Sequence, residues 1–166
     1  MEYINSIKSP VGMLTISSDG NSISGLWIEG QKYFGKNLKK ENLKQNLPIF
    51  DIVKNWLNIY FSGKNPDFLP ELSPIGTSFQ ESIWNILSRI PYGQTTTYGE
   101  IAKILENENE GKPTSARAVG NAIGHNPISI LIPCHRVIGK KGELTGYAGG
   151  ILKKKQLLQT EGINIV

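Results

Sequence analysis

The sequence has few of the residues that build disulfides and metal sites. It contains one cysteine, Cys134, and two histidines, His125 and His135, among 166 residues. A single cysteine cannot form an internal disulfide, and no Cys-X-X-Cys pair is present to bind zinc. We therefore expect a reduced, cytoplasmic protein with no metal and no cofactor.

Long apolar runs and a strong excess of one charge are also missing. No segment approaches the roughly 20 apolar residues that span a bilayer, and Met1–Ser6 does not begin a secretory leader, so we expect no membrane partner. The net charge is +4, divided into +1 for residues 1–75 and +3 for residues 76–166. This permits an anionic partner for the second half, although ordinary surface charge gives the same balance.

The first half has the pattern of a small α/β domain with an antiparallel sheet. Turn residues separate three alternating segments, and apolar residues at helical spacing then predict a helix over Pro48–Phe61, with Trp56 and Tyr60 in the core. We expect residues 29–47 to be loop with some helix. The predicted strands are Tyr3–Ile7, Met13–Ser17 and Ile23–Ile28.

A proline-rich stretch, residues 64–77, lacks periodicity and is predicted to be a linker. The predicted domains are therefore residues 1–75 and residues 76–166, and the fold class is α+β.

The second half contains the start signals of a helix-turn-helix domain. Ser78 with Glu81, and Thr97 with Glu100, are capping-box patterns that begin two helices. A polar loop over residues 106–113 precedes a third helix over Ala116–His125. A strand and turn after Cys134 would add a hairpin, making the domain winged-helix-like, and a last helix begins at Lys153–Leu158.

The third helix is rich in small residues and carries one arginine, Arg117. A helix this slim could enter a nucleic-acid groove closely, or it could be a tightly packed internal helix. The pattern alone does not choose between the two.

Cys134 stands in Pro133-Cys134-His135-Arg136, after the apolar segment Ile128–Ile132, which we predict to be a strand. A thiolate is the reactive form of cysteine, and His135 could remove the thiol proton directly or through water. A carboxylate on the far nitrogen would orient His135, and the local sequence leaves Glu143 and Glu161 as candidates. The alternative is an inert buried thiol.

The motif Ile132–Val137 resembles the active-site motif of the methylated-DNA–protein-cysteine methyltransferases, in their two-domain bacterial form. The resemblance covers the second half well and the first half loosely. Its further segments are Phe79-Gln80, Ile90–Gly93, Thr97-Tyr98, Ala116–Gly120, Asn126-Pro127 and Gly146–Gly150.

The resemblance implies an activity: irreversible, single-turnover transfer of the alkyl group of O6-alkylguanine, and of O4-alkylthymine, to the protein. Cys134 would accept the alkyl group, with His135 as its base, Glu161 orienting His135, and Asn126 bracing the turn. Tyr98 would press on the target phosphate and is a reasonable proton donor to the guanine.

The resemblance also implies a partner, double-stranded DNA containing the lesion, bound by a monomer. Arg117 would fill the gap left by the flipped nucleotide. The remaining residues expected to contact DNA or the base are Ala118, Arg136, Tyr147, Ala148 and Gly149.

Three other functions fit parts of the pattern less well. A non-catalytic alkylated-DNA-binding protein of the same fold would lack the cysteine, and Cys134 is present. A thiol hydrolase usually takes its base from a histidine that is distant from the cysteine in the sequence. Besides His135, the only histidine of this chain is His125. A methylation-triggered transcription activator would need a zinc-bound cysteine domain, which one cysteine cannot form.

Overall fold

The structure is a computed structural model that describes residues 1–165, so Val166, the last residue of the predicted second domain, lies outside it. The first half is built on one sheet with the strand order β3-β2-β1-β4. Its strands are β1 (Glu2–Ser9), β2 (Gly12–Ser18), β3 (Ile23–Ile28) and β4 (Asn42–Lys44).

The three predicted strands are confirmed. β1, β2 and β3 form antiparallel hairpins, and the first of them closes where Ser9 pairs with Gly12. Gly12 has a φ of 112°, a conformation that side chains other than glycine's rarely allow. The expectation for residues 29–47 is wrong in part: this stretch forms successive turns rather than helix, and β4 adds to β1 in parallel.

The predicted helix over Pro48–Phe61 (α1) is confirmed. Its apolar face buries Phe50, Val53 and Tyr60 against the sheet and the second half. Gly63, with a φ of 86°, ends the helix as expected for a glycine just beyond a helix terminus.

The stretch after α1 is not a free linker. Ile23 donates its N–H to the Glu71 carbonyl, and Ser73 donates to the Ile23 carbonyl, both at 2.8 Å. The chain therefore runs beside β3 before the second half begins.

As far as residue 165, the second half contains four α-helices and two short strands. The Ser78 capping box is displaced by one residue, because Thr77 caps the first of these helices and Gln80 closes the box. Thr97 caps the next helix as predicted and Ser115 caps the one after it, although the Glu100 carboxylate accepts from Thr96 instead. The elements are α2 (Ser78–Leu87), β5 (Thr96–Thr97), α3 (Tyr98–Glu108), α4 (Ala116–Gly124), β6 (Val137–Ile138) and α5 (Ile151–Thr160).

α3 and α4 form the predicted helix-turn-helix and pack on α2. The polar loop is shorter than expected, because α3 continues to Glu108. Val119, Ala122 and Ile123 turn one face of α4 into the core. Of the hairpin predicted after Cys134, only the turn is present, where the Gly139 N–H donates to the Glu143 carbonyl. No strand returns to pair with β6, which pairs in parallel with β5 in the described part of the chain.

The apolar segment Ile128–Ile132 is a buried turn, and its prediction as a strand is wrong. Only Ile128 makes a bridge, to Leu26 of β3. The chain then turns so that Ile132 donates to the Ile128 carbonyl at 3.0 Å, with Ile130 at a φ of 71°. A short apolar run predicts burial, but its periodicity cannot distinguish a strand from another buried segment.

Buried apolar residues from both halves form one cluster. Among residues 1–165, no helix has the length and apolar character needed to cross a membrane.

Candidate active site

The thiol of Cys134 lies in a single 3-10 turn, Cys134–Arg136, directly after the buried turn. The residue is 4% exposed, and its N–H donates to the Ile132 carbonyl at 2.8 Å. Burial raises the pKa of the Cys134 thiol, while Asn126 and the charge of Lys154 oppose the rise. The thiol is therefore protonated at neutral pH and needs a base to react.

A buried carboxylate, Glu161, lies at the centre of the site. Its Oε2 accepts from His135 Nε2 at 2.6 Å and from the Tyr60 hydroxyl at 2.7 Å. Its Oε1 accepts from Arg136 Nε at 2.8 Å and from the Gly93 N–H at 2.9 Å. Four donors hold the ionised form, so the pKa of Glu161 is lowered to about 2 despite burial.

The ionised Glu161 fixes the tautomer of His135. Burial lowers the pKa of His135, with Glu161 acting in the opposite direction, so the ring is neutral at pH 7. A neutral imidazole carries one proton, and a carboxylate can only accept, so that proton must be on Nε2. Nδ1 then has a lone pair, and no residue of the described chain hydrogen-bonds to it.

Asn126 joins α4 to the reactive turn. Its side-chain N–H donates to the Ile132 carbonyl at 2.9 Å, and its side-chain oxygen accepts from the Ile128 N–H at 3.0 Å. This clamps both ends of the buried turn, so the thiol is held in a fixed position beneath the helix-turn-helix.

Two residues predicted to contact DNA, Arg117 and Ala118, lie on the exposed face of α4 near its first turn. Together with Asn121 they border a shallow cleft against the start of α2. The helix is therefore not wholly internal, because one face is packed inside and the other is exposed, and its entry into a nucleic-acid groove stays a prediction.

The segment Thr145–Gly149 forms a lip beside the site. Tyr98, the first residue of α3, donates its hydroxyl hydrogen to the Thr145 carbonyl at 3.1 Å. Tyr147 is half-buried, and its hydroxyl is buried with no hydrogen-bond partner among the described residues. Burial, with Cys134 adding to the effect, raises the pKa of Tyr147 well above its ordinary value. The lip thus brings a tyrosine close to the thiol.

The backbone of the lip is tightly placed. The Ala148 carbonyl accepts from the Lys32 N–H at 2.8 Å. A side chain at Gly149 would come within 2.7 Å of the Tyr147 ring, so this position needs glycine.

The structure corrects the prediction for Arg136. This residue is 7% exposed, and besides its bond to Glu161 it donates from Nη1 to the Ile90 carbonyl at 2.6 Å. Arg136 is thus an internal partner of the carboxylate and does not face a DNA surface. The alternative carboxylate, Glu143, accepts from the Lys141 N–H in the turn after β6.

Sequence reasoning missed two residues at the site. Tyr60 was expected in the core, but its hydroxyl donates to Glu161, and burial with the negative charge of Glu161 raises its pKa well above the ordinary range. Lys154 is 1% exposed and donates to the Thr145 carbonyl at 2.8 Å. Burial lowers the pKa of Lys154 to about 8, with Cys134 acting in the opposite direction. The helical spacing of Lys154 to Leu157 and Leu158 was a signal that it points inward.

Fold and site together define a class: a helix-turn-helix protein built over one buried cysteine with a histidine–glutamate pair beside it. Within residues 1–165, no group of three or more His, Cys, Asp and Glu side chains could hold a metal ion.

Comparison with known proteins identifies the family. Residues 3–74 match the ribonuclease-like domain of 6-O-methylguanine DNA methyltransferase, and residues 78–163 match its DNA-binding domain. The chain belongs to this methyltransferase family.

Individual relatives match over nearly the whole chain. The methylated-DNA–protein-cysteine methyltransferase of Mycobacterium tuberculosis H37Rv is 43% identical, with 97% of this chain and 93% of the relative covered. That of Methanosarcina acetivorans is 44% identical, covering 96% and 98%. The crystal structure of Mycobacterium tuberculosis OGT in complex with DNA is similar with a TM-score of 0.82 and 41% identity, covering 96% of this chain and 92% of that one.

Proposed function

We propose that this protein repairs double-stranded DNA by moving the alkyl group of O6-alkylguanine irreversibly onto its own Cys134, once per molecule, in the cytoplasm. The observation that carries the proposal is a buried thiol followed by a neutral histidine whose Nε2–H is bound to an ionised carboxylate at 2.6 Å. Family membership supplies the substrate class.

Activation begins at His135. Its free Nδ1 accepts the proton of Cys134 through a bridging water, because neighbouring side chains seldom face each other directly. The imidazolium that forms is stabilised by Glu161, which Arg136 helps to keep ionised. Tyr60 completes the arrangement as a positioning residue that holds the second lone pair of Oε2.

Transfer is a displacement at the alkyl carbon. The thiolate sulfur forms a C–S bond as the C–O6 bond breaks, and the electron pair of that bond goes to the guanine oxygen. The leaving guanine then takes a proton from Tyr98, which lies at the start of α3 beside the lip. The tyrosinate regains a proton from solvent, and the His135 imidazolium releases its proton to solvent, so the protons balance. The product is a thioether with no easy leaving group, so each molecule reacts once.

Delivery of the base rests on α4. The target atom is buried in the base stack, so the nucleotide must be flipped out, at a cost of a few kcal/mol. Arg117 enters from the minor groove and occupies the gap, and Ala118 permits close approach. The flipped guanine is held by Tyr147 with the backbone around Ala148 and Gly149, while Asn126 keeps the thiol in place.

We further propose that residues 1–75 and 76–166 are the two domains of the chain. The first supplies Tyr60 to the site from α1, and the second supplies the thiol, its base and the DNA-binding helix. Both are needed for the complete hydrogen-bond arrangement at Glu161.

A titration with duplex DNA containing O6-methylguanine tests the function. The amount of guanine restored should reach a plateau at one per protein molecule, however much lesion is added. Continued turnover would contradict a single-use protein. Binding of the duplex with no guanine restored would favour the non-catalytic DNA-binding alternative.

A further inference from the structure

A cationic and aromatic surface lies beside the far end of α4, and the proposed function does not use it. It consists of Lys32, Tyr33 and Lys36, in the turns that follow β3, together with His125 at the end of α4. We call these four residues the ledge. It joins the first half of the chain to the DNA-binding helix.

The ledge is a built arrangement. The rings of Tyr33 and His125 are stacked, with centroids 4.0 Å apart and planes 18° from parallel. The Nζ atoms of Lys32 and Lys36 each lie 5.4 Å from the centre of the Tyr33 ring. His125 Nδ1 donates to the Asn121 carbonyl at 2.8 Å, which fixes its ring. Two ammonium groups are thus held around one aromatic platform.

The backbone of Tyr33 supports a functional reading of this arrangement. Its φ is 62°, in the left-handed region that a bulky residue adopts at a cost in free energy. Such residues cluster where a particular side chain must be placed. Here the strained backbone directs the ring of Tyr33 onto His125, although the residue remains 38% exposed.

The charges of the ledge are available to an outside partner. Lys32 and Lys36 are exposed, and neither forms an ion pair with an acidic side chain within residues 1–165. Two adjacent, uncompensated ammonium groups repel each other and attract an anion. An anionic polymer satisfies both at once.

The distance along α4 from Arg117 to the ledge is comparable to a few steps of a DNA strand. A cleft of about 280 Å³ is lined by Tyr33 of the ledge, Tyr147 of the lip and Gly124 of α4. From Arg117 to His125 the helix rises about 12 Å at about 1.5 Å per residue. That length corresponds to about three to four nucleotides at about 3.4 Å per step of one strand.

We infer that the ledge binds the phosphates of the same duplex, three to four nucleotides from the point where Arg117 enters. This inference rests on the proposed function and adds to it a DNA contact made by the first half of the chain. The lysines neutralise phosphates, and the exposed ring of Tyr33 packs against the sugar-phosphate backbone between them.

Salt-dependent binding of an unmodified duplex tests the inference. The double variant Lys32→Gln/Lys36→Gln should reduce the slope of log affinity against log salt by about 1.8, because each lost phosphate contact removes about 0.9. At about 0.1 M salt this corresponds to roughly 8-fold per contact, or up to about 60-fold weaker binding for the pair. The melting temperature, which should not change, checks the fold.

The matched control removes the same charge elsewhere. Lys8→Gln/Lys64→Gln alters two exposed lysines, one on β1 and one just after α1. The control should keep the slope of the unaltered protein. Equal slopes for the two double variants would overturn the inference.

Failure of the proposed function would look different. Unmodified duplex carries no alkyl group, so its binding reports on the ledge whether or not transfer occurs. If the unaltered protein does not remove methyl groups from a lesion duplex, the repair function is contradicted, and the salt slopes still decide whether the ledge contacts DNA.

Discussion

The buried group around Glu161 and the exposed face of α4 both carry charged side chains, but in opposite environments. Glu161 and Arg136 are 6% and 7% exposed, and they form an ion pair with each other. Arg117 is exposed at the start of α4. The buried charges are stabilised by partners within the fold, whereas the exposed charge of Arg117 is solvated.

This difference separates stability from recognition. Removing one member of a buried ionic group leaves its partners uncompensated in a medium of low dielectric constant. Removing an exposed arginine leaves a solvated surface and costs the fold little. Variants of the first kind should therefore unfold the protein or stop the chemistry, and variants of the second kind should weaken DNA recognition.

Glu161→Gln should have the largest effect. It leaves the Arg136 charge buried without its carboxylate, which should lower the free energy of unfolding by about 3–5 kcal/mol. Urea denaturation measures the loss, and Glu143→Gln, the other carboxylate that the sequence allowed, is the matched control. A loss as small as that of the control would contradict the central place of Glu161.

The same carboxylate predicts how stability depends on acid. The pKa of Glu161 falls from its ordinary 4.5 to about 2 on folding. Its contribution is therefore fully present above pH 4.5 and is lost as the pH falls toward 2. The unaltered protein should lose stability in this window more steeply than Glu161→Gln does.

Tyr60→Phe should have the next largest effect. The variant removes a hydrogen bond to a charged group, worth about 1.5–3 kcal/mol, and leaves the ring in place. Alkyl transfer should slow because Glu161 and His135 are held less firmly. Tyr92→Phe is the control, since that hydroxyl only reaches the Thr160 carbonyl at 3.4 Å. Equal transfer rates for the two variants would show that Tyr60 has no positioning role.

Arg117→Ala should affect recognition and spare the fold. The rate of transfer from a lesion duplex should fall about 10- to 100-fold, as expected when a contact worth about 1–3 kcal/mol is lost. The rate with free O6-benzylguanine, which involves no DNA, should not change. The ratio of the duplex rate to this rate should therefore fall by the same factor. Arg89→Ala changes an exposed arginine that is paired with Glu108. If Arg89→Ala lowers the ratio equally, the assignment of Arg117 is wrong.

Lys154→Met should cost less stability than the changes at Glu161 and Tyr60 and still alter the chemistry. Methionine fills a similar volume without a buried ammonium, so the free energy of unfolding should change by less than about 1.5 kcal/mol. Loss of the charge raises the pKa of the Cys134 thiol further, so transfer should slow at pH 7 and recover at higher pH. Lys155→Met, on the adjacent residue, should leave the pH profile unchanged.

Much of the fold could be predicted because local signals agreed with the packing. The hairpins, α1 and the cap at Thr97 all follow from turn residues and helical spacing. The cap of α2 was displaced because Thr77 with Gln80 and Ser78 with Glu81 fit the same pattern, and only tertiary packing decides between them.

The site was predictable where the motif is local and less so where the contacts are distant. Cys134 and His135 are adjacent, so one motif locates them both. Tyr60 reaches Glu161 from 101 residues away, and its helical spacing indicates only burial. The prediction that Arg136 contacts DNA was wrong for the same reason, because a sequence does not show whether an arginine faces inward.

The most direct test of the account is the site of the alkyl group after reaction. The protein is incubated with duplex DNA containing O6-methylguanine, and peptides are then analysed by mass spectrometry. We predict one methyl group per molecule on the peptide containing Cys134, and none in Cys134→Ala. A methyl group elsewhere, or an unmodified protein beside repaired DNA, would contradict the account.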